Sequence, residues 1–317
     1  VESIEAMRRA MPELLDTVAR YNFWSREGAR EKFYVRGEEC VGAISYEAGS
    51  LSAYKFVIGV LKMALKKGLG LFTNTPATKI EKGEDGIWSV QTSRGVVKAK
   101  RVVLATNGYT GFLCEKFQRK IVPLRGQITA HRPGKNQPVD GLPTTYSFIY
   151  KNGYEYMIPR PQGSKYAGDI IMGGGLVMAK DEGVGEFGTT DDTTLNEDIS
   201  KYLTETTPRY FGADWGNDHE DGRIRKQWTG IMGYSPDGFP FVGEVPGEKN
   251  LWLAASFQGH GMVLCFMCAR ALAAMMGGEE GKIENWFPEA FKVSEERLEK
   301  KFIGRLHTKP LDVETRP

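Results

Sequence analysis

Two periodicities alternate along the chain. Ile4, Met7, Met11, Leu14, Leu15 and Val18 recur at helical spacing, so an amphipathic helix is expected to open the sequence. A second helix is predicted from about Ala53 to Lys67, with Ser52 as its cap and Gly68 as its stop. Strand patterns follow at Gly70–Asn74, Thr78–Lys82, Ile87–Thr92 and Val96–Ala105, with Glu84-Asp85-Gly86 and Ser93-Arg94-Gly95 as turns. From Ile121 the pattern changes. Thr145–Ile158 alternates around Asn152-Gly153, a two-residue hairpin signal, and Asp169–Gly174 offers another strand. Asp181–Thr194 gathers Gly, Thr and acidic residues and reads as an exposed loop, and Leu195–Thr206 reads as a short helix. Gly222–Gly233, Phe239–Val245 and Leu251–Ala255 then lead back toward the first lobe.

Two strand-to-turn segments carry the candidate chemistry. In Asn250–Met276 an apolar run, Leu251–Ala255, enters the turn Phe257-Gln258-Gly259-His260-Gly261 and then a helix of small and apolar residues. Glycines there let the backbone approach a ligand closely, and free N–H groups at a helix start attract negative charge. An ordinary strand, turn and helix with a packing glycine is the plain alternative. In Lys98–Tyr109 a Val-Val-Leu strand ends at Ala105-Thr106-Asn107-Gly108.

Taken with Pro123–Gln127 (PLRGQ), Tyr156–Pro161 (YMIPRP) and Gln227–Gly243 (QWTGIMGYSPDGFPFVG), these segments fall in a familiar order. The chain resembles the D-amino-acid oxidase, glycine oxidase and sarcosine oxidase superfamily of FAD-dependent amine oxidoreductases, over roughly Gly42 to Leu306. Within it the chain looks closest to the fungal branch similar to gamma-glutamylputrescine oxidoreductase. The resemblance implies that Gly259, His260, Gly261 and Met262 lie against the N1 and C2=O edge of the flavin. There the positive end of the helix would favour the reduced ring. A bare helix cap is the alternative role for His260. Thr106, Asn107 and Gly108 match the contact beside the FAD diphosphate and ribose. Tyr156 matches a tyrosine that contacts a substrate carboxylate. Alternation puts Tyr154, Tyr156 and Ile158 on one strand face, where Tyr154 also suits a cross-strand aromatic pair. Arg160 is a carboxylate binder or a surface guanidinium, and Arg125 is open in the same way, with a tie between the lobes as its plainer role. Trp228, followed by Gly230, stands where sarcosine-oxidase-type enzymes attach FAD through cysteine, so noncovalent FAD is implied. Ile171 stands where those enzymes carry a lysine for oxygen activation, which points away from rapid oxidase chemistry.

The superfamily opens with a strand, a G-x-G-x-x-G turn and a helix that hold the FAD pyrophosphate. That fingerprint is not found: Gly68-Leu69-Gly70 follows a helix, and Gly173-Gly174-Gly175 opens none. The segment from Trp24 to Gly42 is also shorter than the family's. The expected fold is mixed α/β: an FAD-binding, Rossmann-like lobe (1–120 and 220–317) lacking its first βαβ unit, and an antiparallel substrate lobe (121–219). The expected function is oxidation of the C–N bond (CH-NH or CH-NH2) of a small amine or amino acid. The rivals are a truncated, non-catalytic fragment holding little or no FAD, and a flavoprotein that oxidises a C–O bond. An N-terminal segment of the same protein is a further candidate partner.

Composition narrows this only a little. The 317 residues can bury a sizeable core in two lobes. A net charge of +2, mixed along the sequence, argues against nucleic acid or an anionic membrane as partner. The longest apolar stretch is broken by Gln258, Gly259, His260 and Arg270 and does not read as a membrane span. Cys265 and Cys268 form C-x-x-C, but in an apolar helix with no second ligand pair they read as packed thiols rather than a metal site. Together with Cys40 and Cys114 they fit reduced thiols in a cytosolic or organellar protein, with the cytoplasm as the expected location.

Overall fold

The computed structural model describes residues 2–14, 17, 20–150 and 153–304. Helix α1 (Glu2–Ala10) is shorter than its periodicity suggests. Pro12 lacks an N–H and disfavours helical backbone before it, so a 3-10 turn, Pro12–Leu14, replaces the continuation. Leu15 and Val18 lie outside the described residues. Strands β1 (Asn22–Trp24) and β2 (Ala43–Ser45) pair antiparallel around α2 (Arg26–Phe33). Helix α3 (Ala53–Lys66) is capped by Ser52, whose hydroxyl accepts from the Lys55 N–H at 3.4 Å. The expected strand at Gly70–Asn74 does not form; Asn74 takes a left-handed φ of 52° that ends any extended run.

Next come β3 (Ala77–Lys82), β4 (Trp88–Thr92) and β5 (Gly95–Ala99), an antiparallel meander. The run Val96–Ala105 is two strands, since β6 (Val102–Leu104) leaves the meander after Lys100 and Arg101. The elements α4 (Thr110–Leu113), β7 (Val122–His131), β8 (Tyr146–Tyr150), β9 (Gly153–Pro159) and β10 (Ile170–Gly173) follow. Tyr150 pairs with Gly153, so the hairpin is present, while Lys151 and Asn152 lie outside the described residues. The chain continues through α5 (Glu197–Thr204), α6 (Thr206–Phe211), β11 (Ile224–Tyr234), β12 (Phe241–Glu244), β13 (Leu251–Ala255), α7 (Gly261–Met276) and α8 (Glu295–Glu299).

The chain divides into two units. The first comprises Val1–Leu51, Gln127–Ala179 and Thr194–Trp228. Its sheet has the order β11-β7-β10-β9-β8; the chain enters the unit along β7, at Gln127, and leaves it along β11, after Trp228. Met157, Ile170, Met172, Leu203, Phe211 and Trp215 form its core. The division 1–120, 121–219 and 220–317 therefore shifts: residues 1–51 and 220–228 fall in the first unit, and 121–126 and 180–193 in the second. Residues 1–51 join the first unit because Arg36 and Gly37 N–H groups donate to the Tyr210 carbonyl and the Tyr146 hydroxyl donates to the Phe33 carbonyl.

The second unit comprises Ser52–Gly126, Lys180–Thr193 and Thr229–Pro317. The segment 180–193 belongs here and is not simply an exposed loop. Glu186 is buried in a 3-10 segment, Lys180–Glu186, and accepts two bonds from the Arg125 guanidinium, at 2.7 and 3.2 Å. The string Gly183-Val184-Gly185-Glu186-Phe187-Gly188 has the G-x-G-x-x-G spacing, yet neither a strand leads into it nor a helix out of it. The unit holds the meander and a second three-stranded sheet, β12-β13-β6, with β13 antiparallel to β12 and parallel to β6. Leu104, Phe117, Phe241, Leu251 and Leu253 pack on one face of this sheet. Val242, Trp252 and Ala254 meet Cys268, Ala271, Leu272 and Met275 of α7 on the other. The architecture is mixed α/β with antiparallel sheets.

Candidate functional site

Three chain segments of the second unit are locked together where β6, β11 and β13 end. Asn107 sits at φ 42°, a left-handed conformation that asparagine tolerates. Its side-chain oxygen accepts from the Ser256 N–H at 2.9 Å and the Phe257 N–H at 3.4 Å, tying the exit of β6 to the exit of β13. Gly108 is buried beside β11: a Cβ there would stand 2.6 Å from the Met232 carbonyl oxygen. The Gln258 N–H donates to the Gly233 carbonyl at 3.1 Å, and its carboxamide donates to the Ser235 hydroxyl at 2.8 Å. Thr106 turns away, sharing a 2.9 Å hydroxyl contact with Thr110. The two motifs singled out in the sequence therefore form one substructure.

The turn 256–260 is wound tightly, with Ser256, Gln258 and Gly259 at φ 67°, 56° and 78°. It delivers the start of α7 in the open. The Val263 and Leu264 N–H groups both donate to the His260 carbonyl at 3.1 Å, so the preceding amides, Gly261 and Met262, point beyond the helix end. No acidic side chain lies in the first turn, and His260 gives no side-chain cap. The positive helix end is thus available to an acceptor. The imidazole Nδ1 of His260 is 2.9 Å from the Gln258 carbonyl. A carbonyl only accepts, so Nδ1 carries the hydrogen, and Nε2 of the neutral ring is an acceptor. Donation from Nε2 therefore requires the imidazolium, which refines the expected role of His260 as donor or positioner. Gly230, on β11, directs its missing Cβ into open space, with nothing within 4 Å. Trp228 lies half-buried on the same strand, in the first unit.

Tyr156 and Arg160 belong to the first unit. On β9 the alternation is clear: Tyr154 and Tyr156 are exposed, while Glu155 and Met157 are buried. Tyr156 lies directly opposite Gly173 of β10, and a Cβ on Gly173 would come 2.3 Å from the Tyr156 phenol carbon and oxygen. The ring thus rests on the space a side chain would fill. Arg160 is half-buried rather than fully exposed; its guanidinium lies 6.0 Å from the Tyr166 ring centre. Behind the strand, buried Glu155 accepts from the Tyr150 hydroxyl at 2.6 Å and from Tyr210. Sequence reading missed Gly173, Ser256 and Glu155, whose partners are distant along the chain. Arg125, read as a tie between lobes, pairs with Glu186 of its own unit. Cys268 is buried in α7 but Cys265 is exposed, so the pair is not packed as a unit. Among the described residues no helix is long and apolar enough to cross a membrane, and no three His, Cys, Asp or Glu side chains cluster as metal ligands.

A parallel strand pair whose exits meet at an open helix start is an arrangement that nucleotide-cofactor proteins use. The chain belongs to the FAD dependent oxidoreductase family, whose model matches residues 2–275. It is 25% identical over 276 residues to glycine oxidase of Pseudomonas aeruginosa, covering 82% of this chain and 68% of that protein. To the glycine oxidase of Pseudomonas putida it is 27% identical over 206 residues, 64% of this chain and 48% of that one. The chain thus spans 68% and 48% of the lengths of these two relatives. The crystal structure of glycine oxidase from Geobacillus kaustophilus shares the fold, with a TM-score of 0.69 at 20% identity, covering 92% of this chain and 72% of that one. The outward amides of Gly261 and Met262 and the open side of Gly230 fit the acceptor-rich edge of a flavin.

Proposed function

We propose that this chain is the bulk of an FAD-dependent oxidoreductase that oxidises the C–N bond of a small amine or amino acid. The observation that carries the reading is the junction at Asn107, which fixes two strand exits and sets the start of α7 free. Bound FAD supplies the two-electron acceptor. In this reading Gly259, Gly261 and Met262 hold the flavin edge through backbone groups, and His260 orients there through its bond to Gln258. Thr106, Asn107 and Gly108 border the cofactor's diphosphate and ribose side. Tyr156 binds a substrate carboxylate through its hydroxyl, Arg160 supports that charge, and Trp228 and Gly230 line the cofactor without a covalent link.

Family membership and the glycine oxidase relatives support the substrate class; kinship to the gamma-glutamylputrescine branch is proposed as its finer form on the sequence resemblance alone. Ile171, in place of a lysine, supports an electron acceptor other than oxygen. The cytoplasm is the proposed location. For the 317 residues taken alone we propose weak FAD retention. Heat precipitation of FAD-loaded protein should release yellow flavin to the supernatant. Tyr156→Phe should weaken a carboxylate-bearing amine by about 1–3 kcal/mol without changing flavin content. Flavin retained in the pellet would remove the noncovalent assignment, and unchanged kinetics with every carboxylate substrate would remove Tyr156.

A further inference from the structure

The sheet of the first unit has one face packed on its core and one that is not. Across β9, β10 and β7 the core-side row is Met157, Met172 and Thr129, paired in register and all buried. The opposite face follows by alternation. Its rows are Tyr156, Gly173 and Ile128, then Ile158, Ile171 and Ala130. Ala130 is buried. Ile128, Ile158 and Ile171 are only half-buried, and they lie outside all three buried hydrophobic clusters.

The Tyr156 hydroxyl stands over this apolar floor. A Cβ on Gly173 would lie 2.3 Å from both the phenol carbon and its oxygen, so the hydroxyl sits above β10 and not above its own strand. From Gly173, Ile128 is directly opposite, at about 5 Å, and Ile171 is two residues along the strand, at about 7 Å. Among the six residues of these rows Tyr156 alone can hydrogen-bond through its side chain. A ligand anchored on that hydroxyl therefore meets isoleucine when it extends along β10 or across to β7. An apolar substituent gains by covering these side chains, while a charged one would lose hydration and find no partner on these rows.

We propose that Ile128, Ile158 and Ile171 form the subsite for the substrate's side chain and so determine specificity. The substrate is then an amino acid with an unbranched apolar side chain and not glycine. A chain of about four carbons spans one row to the next, at about 7 Å per two residues. The inference rests on the reading of Tyr156 as the carboxylate contact and adds the side-chain class to it.

The test titrates FAD-loaded protein with acetate, butyrate and hexanoate, with binding followed by calorimetry. Hexanoate should bind at least about tenfold more tightly than acetate, with butyrate between them. Aminohexanoate with its amine at the far end, the same chain closed by a charge, should fall back toward acetate. Ile171→Ser and Ile158→Ser should each shrink the hexanoate-to-acetate ratio several-fold and leave acetate unchanged, which a general loss of structure would not do. With an artificial dye as electron acceptor, kcat/KM for the better enantiomer of norleucine should exceed that for glycine by at least about tenfold. A flat series from acetate to hexanoate, in a protein where Tyr156→Phe still weakens all of them, would overturn the subsite and leave the carboxylate contact standing. If Tyr156→Phe changes none of them, the carboxylate reading falls and this inference falls with it.

Discussion

Asn107 is the most exacting place to test how the site is held, because two separate physical terms meet on one side chain. Its oxygen is the acceptor for the Ser256 N–H, and Ser256 is fully buried. Removing that acceptor leaves a buried amide unsatisfied, at about 1–3 kcal/mol. The backbone term is distinct: at φ 42° a residue with an ordinary Cβ is strained by about 1–2 kcal/mol, a penalty that glycine avoids. Asn107→Ala should therefore lose about 2–4 kcal/mol. Asn107→Gly should lose less than Asn107→Ala, by about 1 kcal/mol, because it drops the acceptor and keeps the turn. Asn107→Asp keeps an acceptor in place and should stay nearest to the parent. The assay is urea unfolding followed by tryptophan fluorescence, with the slope checked for constancy so that midpoints report stability. An Asn107→Ala midpoint equal to the parent's would refute the acceptor argument, and a greater loss for Asn107→Gly than for Asn107→Ala would refute the backbone argument.

Other expectations follow from neighbouring geometry. Gly173→Ala should displace the Tyr156 ring and raise KM for a carboxylate substrate several-fold while unfolding stays near that of the parent; an unchanged KM would separate Tyr156 from substrate binding. Burial, with Arg223's charge adding to it, holds the His131 imidazole down at about 4, between the Thr129 and Thr207 hydroxyls. Its folded pKa lies below the unfolded value of 6.5, so this contribution is complete above pH 6.5 and is lost as pH falls toward 4. Urea midpoints should decline across that window and decline less in His131→Gln; parallel slopes would count against it. Burial alone would push the Asp237 carboxyl up, but bonds and charge from Arg297, with Lys300, outweigh it and hold it at about 2. Arg297→Ala should cost about 3–5 kcal/mol by stranding that carboxylate, and a loss below 1 kcal/mol in thermal or urea unfolding would contradict the account.

How legible each part was in the sequence depends on whether its cause is local. Leu251–Ala255 is read from the sequence and found with the same limits, because a continuous apolar run bounded by turn residues has one sensible use, a strand buried on both faces. The α3 cap and the alternation on β9 are legible for the same reason: Ser52 acts three residues away, and side chains of a strand alternate wherever it sits. The break at Lys100 and Arg101 is not read from the pattern, since valine pairs stand on both sides of it and the change of partner, from β4 to β13, is what separates β5 from β6. Nor is the support under Tyr156, which depends on Gly173 being opposite in register.

The site divides along the same line. Residue types suited to a cofactor edge can be picked out locally, as Gly259 to Met262 and Thr106 to Gly108 were. What joins them is the bond from the Ser256 N–H to the Asn107 oxygen, between residues 149 apart in sequence. A carboxamide that accepts from the far turn explains why this position carries asparagine rather than glycine, which would satisfy the left-handed φ equally well. Its side-chain oxygen is therefore spent on the protein's own backbone, which leaves the carboxamide NH2, the main chain and the turn it holds in place as what Asn107 can offer a cofactor.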